Sequence, residues 1–182
     1  MARRLCQRPR RVSRKELEPS DICAVVDRKE QAPLDLLIPF IEATLVTGDY
    51  SVRGLEDLVC IERKSLSDLV ACCGRERERF DRCIQRMRSY ETSVLVIESS
   101  WGAIHLGQWR GQIKPSHVKG SLYSWMRHVS VVIAGDRTNA AAIVSGILFS
   151  AARQNFRQLQ AFYDELKIDT SSKGKIKETK AL

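Results

Sequence analysis

Apolar positions along this chain fall into two rhythms, short unbroken runs and longer helical spacings. Ile22 to Val26 is a short apolar run rich in β-branched residues that stops at Asp27, which predicts a buried strand with an acid at its C-terminal end. Behind Pro33, a residue suited to a first helical turn, Leu34, Leu37, Ile38 and Ile41 recur at helical spacing, with Pro39 as a kink. Ala43 to Val52 alternates unevenly around Gly48-Asp49-Tyr50, Gly54 to Asp57 suits a turn, and Leu58 to Lys64 is the next predicted strand. Three strands with short connections are expected to pair antiparallel.

Ser65, with Asp68 three positions on, marks a capped helix start, and Gly74 ends that helix. From Arg75 a second helix is expected to bury Phe80, Cys83, Ile84 and Met87. Its other faces carry Arg75, Arg79, Arg82 and Arg86 among Glu76, Glu78 and Asp81. Two readings stand: a solvated ion-paired face, or an arginine row (Arg75, Arg79, Arg82) that meets DNA. Ser93 to Glu98 encloses the apolar run VLVI and ends in an acid, so it is expected at the sheet centre. Residues 100–115 show little periodicity. Ser116 is expected to cap a helix that buries Val118, Leu122, Trp125 and Met126; Val129 to Ala134 reads as a buried strand. Asp136 then begins a long helix through Val144, Ile147, Leu148 and Ala151. Helices alternating with the later strands imply parallel pairing there, so the expected fold is α/β, a central mixed β-sheet flanked by helices.

The 182 residues suit one domain. It is expected over 21–166, between a flexible basic arm (1–20) and a flexible Lys/Ser-rich tail (167–182). The net charge of +8 is unevenly placed. Residues 1–15 hold seven basic side chains and no acid, and the tail holds five lysines against Asp169 and Glu178. The body between, 16–166, has 18 Arg and Lys against 20 Asp and Glu. Basic arms of this kind raise non-specific DNA affinity, or simply aid solubility. No apolar run approaches the ~20 residues of a membrane helix. The N-terminus is arginine-rich rather than apolar, so an intracellular protein is expected, in a prokaryotic or phage-infected cytoplasm or in a nucleus. Six cysteines form no CxxC pair and are expected to be reduced and structural.

The candidate chemistry lies in Gly48-Asp49-Tyr50 and Ile61-Glu62-Arg63-Lys64. On a strand Glu62 and Lys64 share one face, and Asp49 lies on the neighbouring strand of a hairpin. Two carboxylates and an ammonium converging at a strand edge suit phosphodiester hydrolysis. The acids hold a hard divalent cation such as Mg²⁺, and Lys64 orients water or offsets developing charge. Asp27 can join from the first strand, with Glu30 near it in sequence. The plain alternative is an edge strand with a solvated salt bridge, Asp27 and Asp68 serving only as caps. Clustering of acids at strand ends rather than on helix surfaces favours catalysis.

The segments VVDRKE, GDYSV, IERKSLSDL and CGRERERF resemble, in order and spacing, the nuclease domain of the XPF/Mus-type (ERCC4-domain) structure-specific endonucleases of the PD-(D/E)xK superfamily. VLVIES and DRTNAAAIV are similar to the rest of that domain, so the likeness covers roughly residues 22–160. The resemblance implies a restriction-endonuclease-like sheet and dependence on Mg²⁺ or Mn²⁺. It also implies hydrolysis of branched, flapped or forked DNA in repair or recombination. It assigns metal contacts to Asp27, Asp49, Glu62 and the Arg63 backbone carbonyl, catalytic roles to these acids with Glu30 and Lys64, and supporting roles to Arg63 and Asp68. It implies DNA as partner and a homodimer through the nuclease domain. The helix around Trp125 and Met126 and the aromatics Phe149, Phe156, Phe162 and Tyr163 are the expected interface. Two features depart from the pattern: Lys29 stands at an arginine position, and no helix-hairpin-helix glycine motif follows Leu166. A silent DNA-binding or scaffold subunit, and a junction resolvase or restriction-type nuclease, stay open as alternatives. Silent relatives typically lose the GD and ERK acids, which are all present here.

Overall fold

The computed structural model describes residues 16–166, so the arm up to residue 15 and the tail from 167 lie outside the described residues. Six strands form one sheet in the order β2-β1-β3-β4-β5-β6: β1 (Ala24–Asp27), β2 (Phe40–Ala43), β3 (Tyr50–Val52), β4 (Val59–Ser65), β5 (Thr92–Glu98) and β6 (Ser130–Ile133). As expected, β1–β3 and β3–β4 pair antiparallel, although β2 intervenes in the chain between β1 and β3, and the crossovers of the second half make β4–β5–β6 parallel. Helices are α1 (Leu66–Cys72), α2 (Arg77–Met87), α3 (Trp101–Leu106), α4 (Pro115–Trp125) and α5 (Arg137–Leu166).

The sheet divides the core in two. Beneath α5, Val26, Tyr50, Ile61, Val94 and Val96 pack against Ala140, Val144 and Leu148. On the other face Cys60, Leu95 and Ile97 pack against Leu69, Phe80, Ile84, Leu122 and Trp125 of α1, α2 and α4. A strand buried on both faces shows no alternation, which is why VLVI reads as an unbroken run. β5 is interior, but one strand in from the edge β6; β4, of equal length, lies nearer the middle.

Several local expectations are corrected. Residues 34–41 form no helix. Pro39 lacks an N–H and drives Ile38 out of the helical region, so the chain instead enters β2, which pairs parallel with β1. Side chains replace the missing helical bonds: Leu34 N–H donates to the Tyr50 hydroxyl (3.0 Å) and Leu37 N–H to Ser145 (2.9 Å). The 100–115 segment contains α3, with Ser100 at its N-cap and Gly107 left-handed (φ 72) at its end. It buries only Ile104, too little to leave a helical period. α4 starts at Pro115, which places Ser116 inside the first turn rather than at the cap. Met126 is exposed, Cys83 is half-buried, and β6, an edge strand, is at most half-buried.

Candidate active site

Alternation along β4 decides what each side chain meets. Val59 and Ile61 face the core under α5 and Cys60 the opposite core, so Glu62 and Lys64 follow Cys60 toward α1 and α2. By the same rule Asp49 sits on that face with Ser51, and Asp27 with Val25. Backbone bonds join the three acidic positions across the sheet: Asp27 N–H to Asp49 O (2.9 Å) and Asp49 N–H to Ile61 O (2.8 Å). The Asp49 carboxylate accepts Arg63 N–H (2.8 Å), which sets Asp49 directly opposite Glu62. Gly48 makes this approach feasible. Its φ is +83, and a Cβ there would stand 2.6 Å from Cys60 Sγ and 3.0 Å from Ile61 O.

Asp49 is held in an uncomfortable state. Burial first, and then the neighbouring Glu62 carboxylate, lift its pKa from 3.8 to about 7 against the opposing pull of Lys64 and the Arg63 N–H. Burial works against the Lys64 ammonium, but Glu62 and Asp49 outweigh it and keep it above its ordinary value. That ammonium contacts Glu62 Oε1 and lies 3.2 Å from the Arg63 carbonyl oxygen, with the Phe80 ring 5.3 Å away. The Cys83 thiol approaches the other Glu62 oxygen at 3.8 Å. Lys64 therefore stands where two of the expected metal contacts converge.

Asp27 is buried, and each of its oxygens accepts a backbone N–H, from Lys29 (2.6 Å) and Leu45 (2.7 Å). It ties together the loops after β1 and β2. Position 29 enters this contact through its backbone, so lysine there leaves the tie intact. Among the described residues, no three His, Cys, Asp or Glu side chains stand close enough together to hold an ion as placed.

The opposite face of the site is an ion-pair network. Arg63 Nε donates to Glu98 Oε2 (2.7 Å), and Arg63 Nη1 lies 3.6 Å from Glu30. Arg137, at the start of α5, reaches the same Glu98 oxygen at 3.5 Å and donates to the carbonyls of Ala32 and Pro33. Glu30 thus braces Arg63 across the sheet from Glu62, close enough for its charge to raise Asp49. Asp68 is an exposed cap residue: its N–H donates to Ser65 Oγ (3.2 Å) and its carboxylate accepts the Ser65 hydroxyl (2.7 Å). Arg75 and Arg79 both contact Glu76, and Arg82 is exposed. Arg86 Nε donates to Thr47 Oγ1 (3.3 Å), steadying the turn before Asp49. Sequence reasoning assigned no role to Glu98, Arg137 or Thr47. Only Glu98 carried a signal, as an acid ending a buried strand.

A mixed six-stranded sheet with helices on both faces, and with carboxylates converging near the ends of adjacent strands, is a restriction-endonuclease-like nuclease fold. Residues 2–147 match the ERCC4 domain, and the chain belongs to the ERCC4 domain family. Among solved structures it is similar to XPF from Aeropyrum pernix, with a TM-score of 0.58 at 19% identity over 79% of this chain and 72% of that one. A structure of XPF from Aeropyrum pernix in complex with DNA matches with the same TM-score and identity, over 81% and 76% of the two chains. No curated protein sequence matches. The chain is an ERCC4/XPF-like nuclease domain, as its motifs implied.

Proposed function

We propose that this chain is a divalent-cation-dependent DNA endonuclease that cleaves branched, flapped or forked DNA in repair or recombination inside the cell. The observation that carries this reading is a half-buried Asp49 held opposite the buried Glu62, beside Lys64. Two such carboxylates repel, and a divalent ion relieves both. Mg²⁺ suits the donor set, because it typically takes one or two carboxylates and fills its other positions with water and phosphate oxygens. When bound, it would polarise the scissile phosphate and acidify a water. Asp49, Glu62 and the Arg63 carbonyl are the groups proposed to hold it, with Asp27 fixing the loops around them. Lys64 is free to swing from Glu62 toward the reacting phosphate and offset its charge. Glu30, Glu98 and Arg137 fix Arg63, whose N–H in turn positions Asp49. Arg75, just before α2, and Arg79 and Arg82 on α2 meet phosphates; Arg79 already feels the charge of Glu62.

We also propose that the chain pairs with itself. Trp125 is buried in the core and Phe149 packs half-buried against it, whereas Leu159, Phe162, Tyr163 and Leu166 leave an exposed apolar stripe on α5. The test of function is incubation of the full chain with Mg²⁺ and linear, flapped, forked and four-way DNAs, with Glu62→Gln as control. Cleavage lost in the variant is the expected result. Binding without cleavage of any DNA would overturn the enzyme reading in favour of a silent subunit.

A further inference from the structure

We infer that the outer face of the α3–α4 pair is a platform on which unpaired DNA bases stack. Trp101 and His105 lie four residues apart on α3, and Lys119 and Tyr123 four apart on α4, so each pair shares a helix face. The two faces meet. The Trp101 and Tyr123 ring centroids are 6.4 Å apart at a 38° tilt, and Lys119 Nζ is 3.5 Å from His105 Nδ1. Trp101 is 40% and Tyr123 55% exposed. The other tryptophans are engaged: Trp125 Nε1–H donates to Asp81 (2.8 Å) and Trp109 Nε1–H to the Ile113 carbonyl (3.0 Å).

Charge points to a polyanion. Residues 99–135 contain no Asp or Glu, yet hold four Arg or Lys and all three histidines, in a body where acids outnumber bases. Arg127, just past the end of α4, adds a further cation to this segment. A polyanion that also offers flat apolar faces is a single strand, since a duplex keeps its bases stacked on one another. The position fits as well. α3 begins three residues after Glu98, the partner of Arg63, and Ile97 pairs with Lys64 in the sheet, so the platform leaves the sheet at the end that carries the acids.

This inference rests on the nuclease reading but is tested apart from it, in EDTA, where cleavage is silent. The full chain is titrated with oligo(dT) and with a blunt duplex of equal length, at salt high enough to suppress phosphate contacts by the basic arm. Tryptophan fluorescence and DNA anisotropy are followed. Oligo(dT) is expected to quench the emission. Trp101→Leu should remove most of the quenching and weaken oligo(dT) binding about ten-fold, with duplex binding unchanged. Tyr123→Leu, at a still more exposed position, should weaken it in the same sense. Oligo(dT) binding unchanged in both variants would overturn the platform, as would equal losses for both DNAs. A changed oligomer mass with oligo(dT) affinity intact would make the patch a protein interface instead. None of these results bears on whether Mg²⁺ supports cleavage.

Discussion

Replacing Asp49 by Asn should make the metal-free protein more stable at pH 8 while abolishing cleavage. A carboxyl moved from 3.8 to about 7 costs the folded state about 4 kcal/mol once it is ionised, at about 1.4 kcal/mol per pH unit. The sign follows from proton counting: between these pH values the folded chain binds more protons than the unfolded one, so stability falls as pH rises. The penalty is absent below about pH 4, only partly present at pH 5, and complete above pH 7. Asparagine keeps the acceptor for Arg63 N–H and offers its amide to Glu62, but its own burial costs on the order of 1–2 kcal/mol. The net gain is therefore about 2 kcal/mol at pH 8 and near zero at pH 5, or about 4–8 °C in Tm at the higher pH for a chain of this size. Urea or thermal unfolding in EDTA at the two pH values measures it. Mg²⁺ should raise the Tm of the parent at pH 8 and leave the variant unchanged. A variant no more stable than the parent at pH 8, or a gap equal at both pH values, would refute the frustrated pair.

Other perturbations separate the parts of the site. Lys64→Met should lower single-turnover cleavage by about 10²–10⁴-fold while Mg²⁺ affinity, read by thermal shift, holds or tightens, because a competing ammonium leaves Glu62 and the Arg63 carbonyl. Weaker metal affinity with an intact rate would reverse that role. Arg63→Met should destabilise the protein by about 3–5 kcal/mol in urea unfolding, since Glu98 and Glu30 lose their cation; a loss under 1 kcal/mol would dismiss the network. Deleting residues 1–15 should flatten the log–log salt dependence of DNA binding by up to about six, and an unchanged slope would move the phosphate contacts to the body. Sedimentation at micromolar concentration should show a dimer that Leu159→Glu with Tyr163→Glu converts to monomer; a monomeric parent with full activity would remove pairing from the mechanism.

How much was legible in advance follows the range of each cause. The shared face of Glu62 and Lys64 is a consequence of strand period alone; the antiparallel β3–β4 hairpin follows from its short loop and the parallel second half from the intervening helices. The pairing of Asp49 with Glu62 was within reach because one hairpin joins them. The Arg63 network was not, because Glu98 and Arg137 come from distant elements that only the folded sheet brings together. β2 was hidden by apolar spacing that fits a helix in pattern; Pro39 was the better guide. α3 was hidden because a helix burying one residue has no period to detect. Asp27 was expected among metal contacts, but backbone N–H groups from two loops, brought to it only by folding, occupy its oxygens.

The common explanation for an acid–x–lysine pair, a solvated salt bridge on an edge strand, fails here on position. β4 lies between β3 and β5, and Glu62 is only 8% exposed. A structural pair in that setting would be satisfied by Lys64 alone and would gain nothing from a second carboxylate opposite it. The two faces of the strand differ in just this way. On one, Arg63 meets Glu98 and Glu30 with Arg137 added, and charge is matched within a braced network. On the other, Asp49 is kept beside Glu62 by a glycine that alone permits the approach, and burial and the Glu62 charge lift its carboxyl to about 7. The same residue, Arg63, serves both faces, since its side chain closes the satisfied network and its N–H holds Asp49 in the unsatisfied one. Strain retained at one place by a rigid surround is the pattern expected of the proposed site, and a doubly charged cation is the ligand proposed to release it.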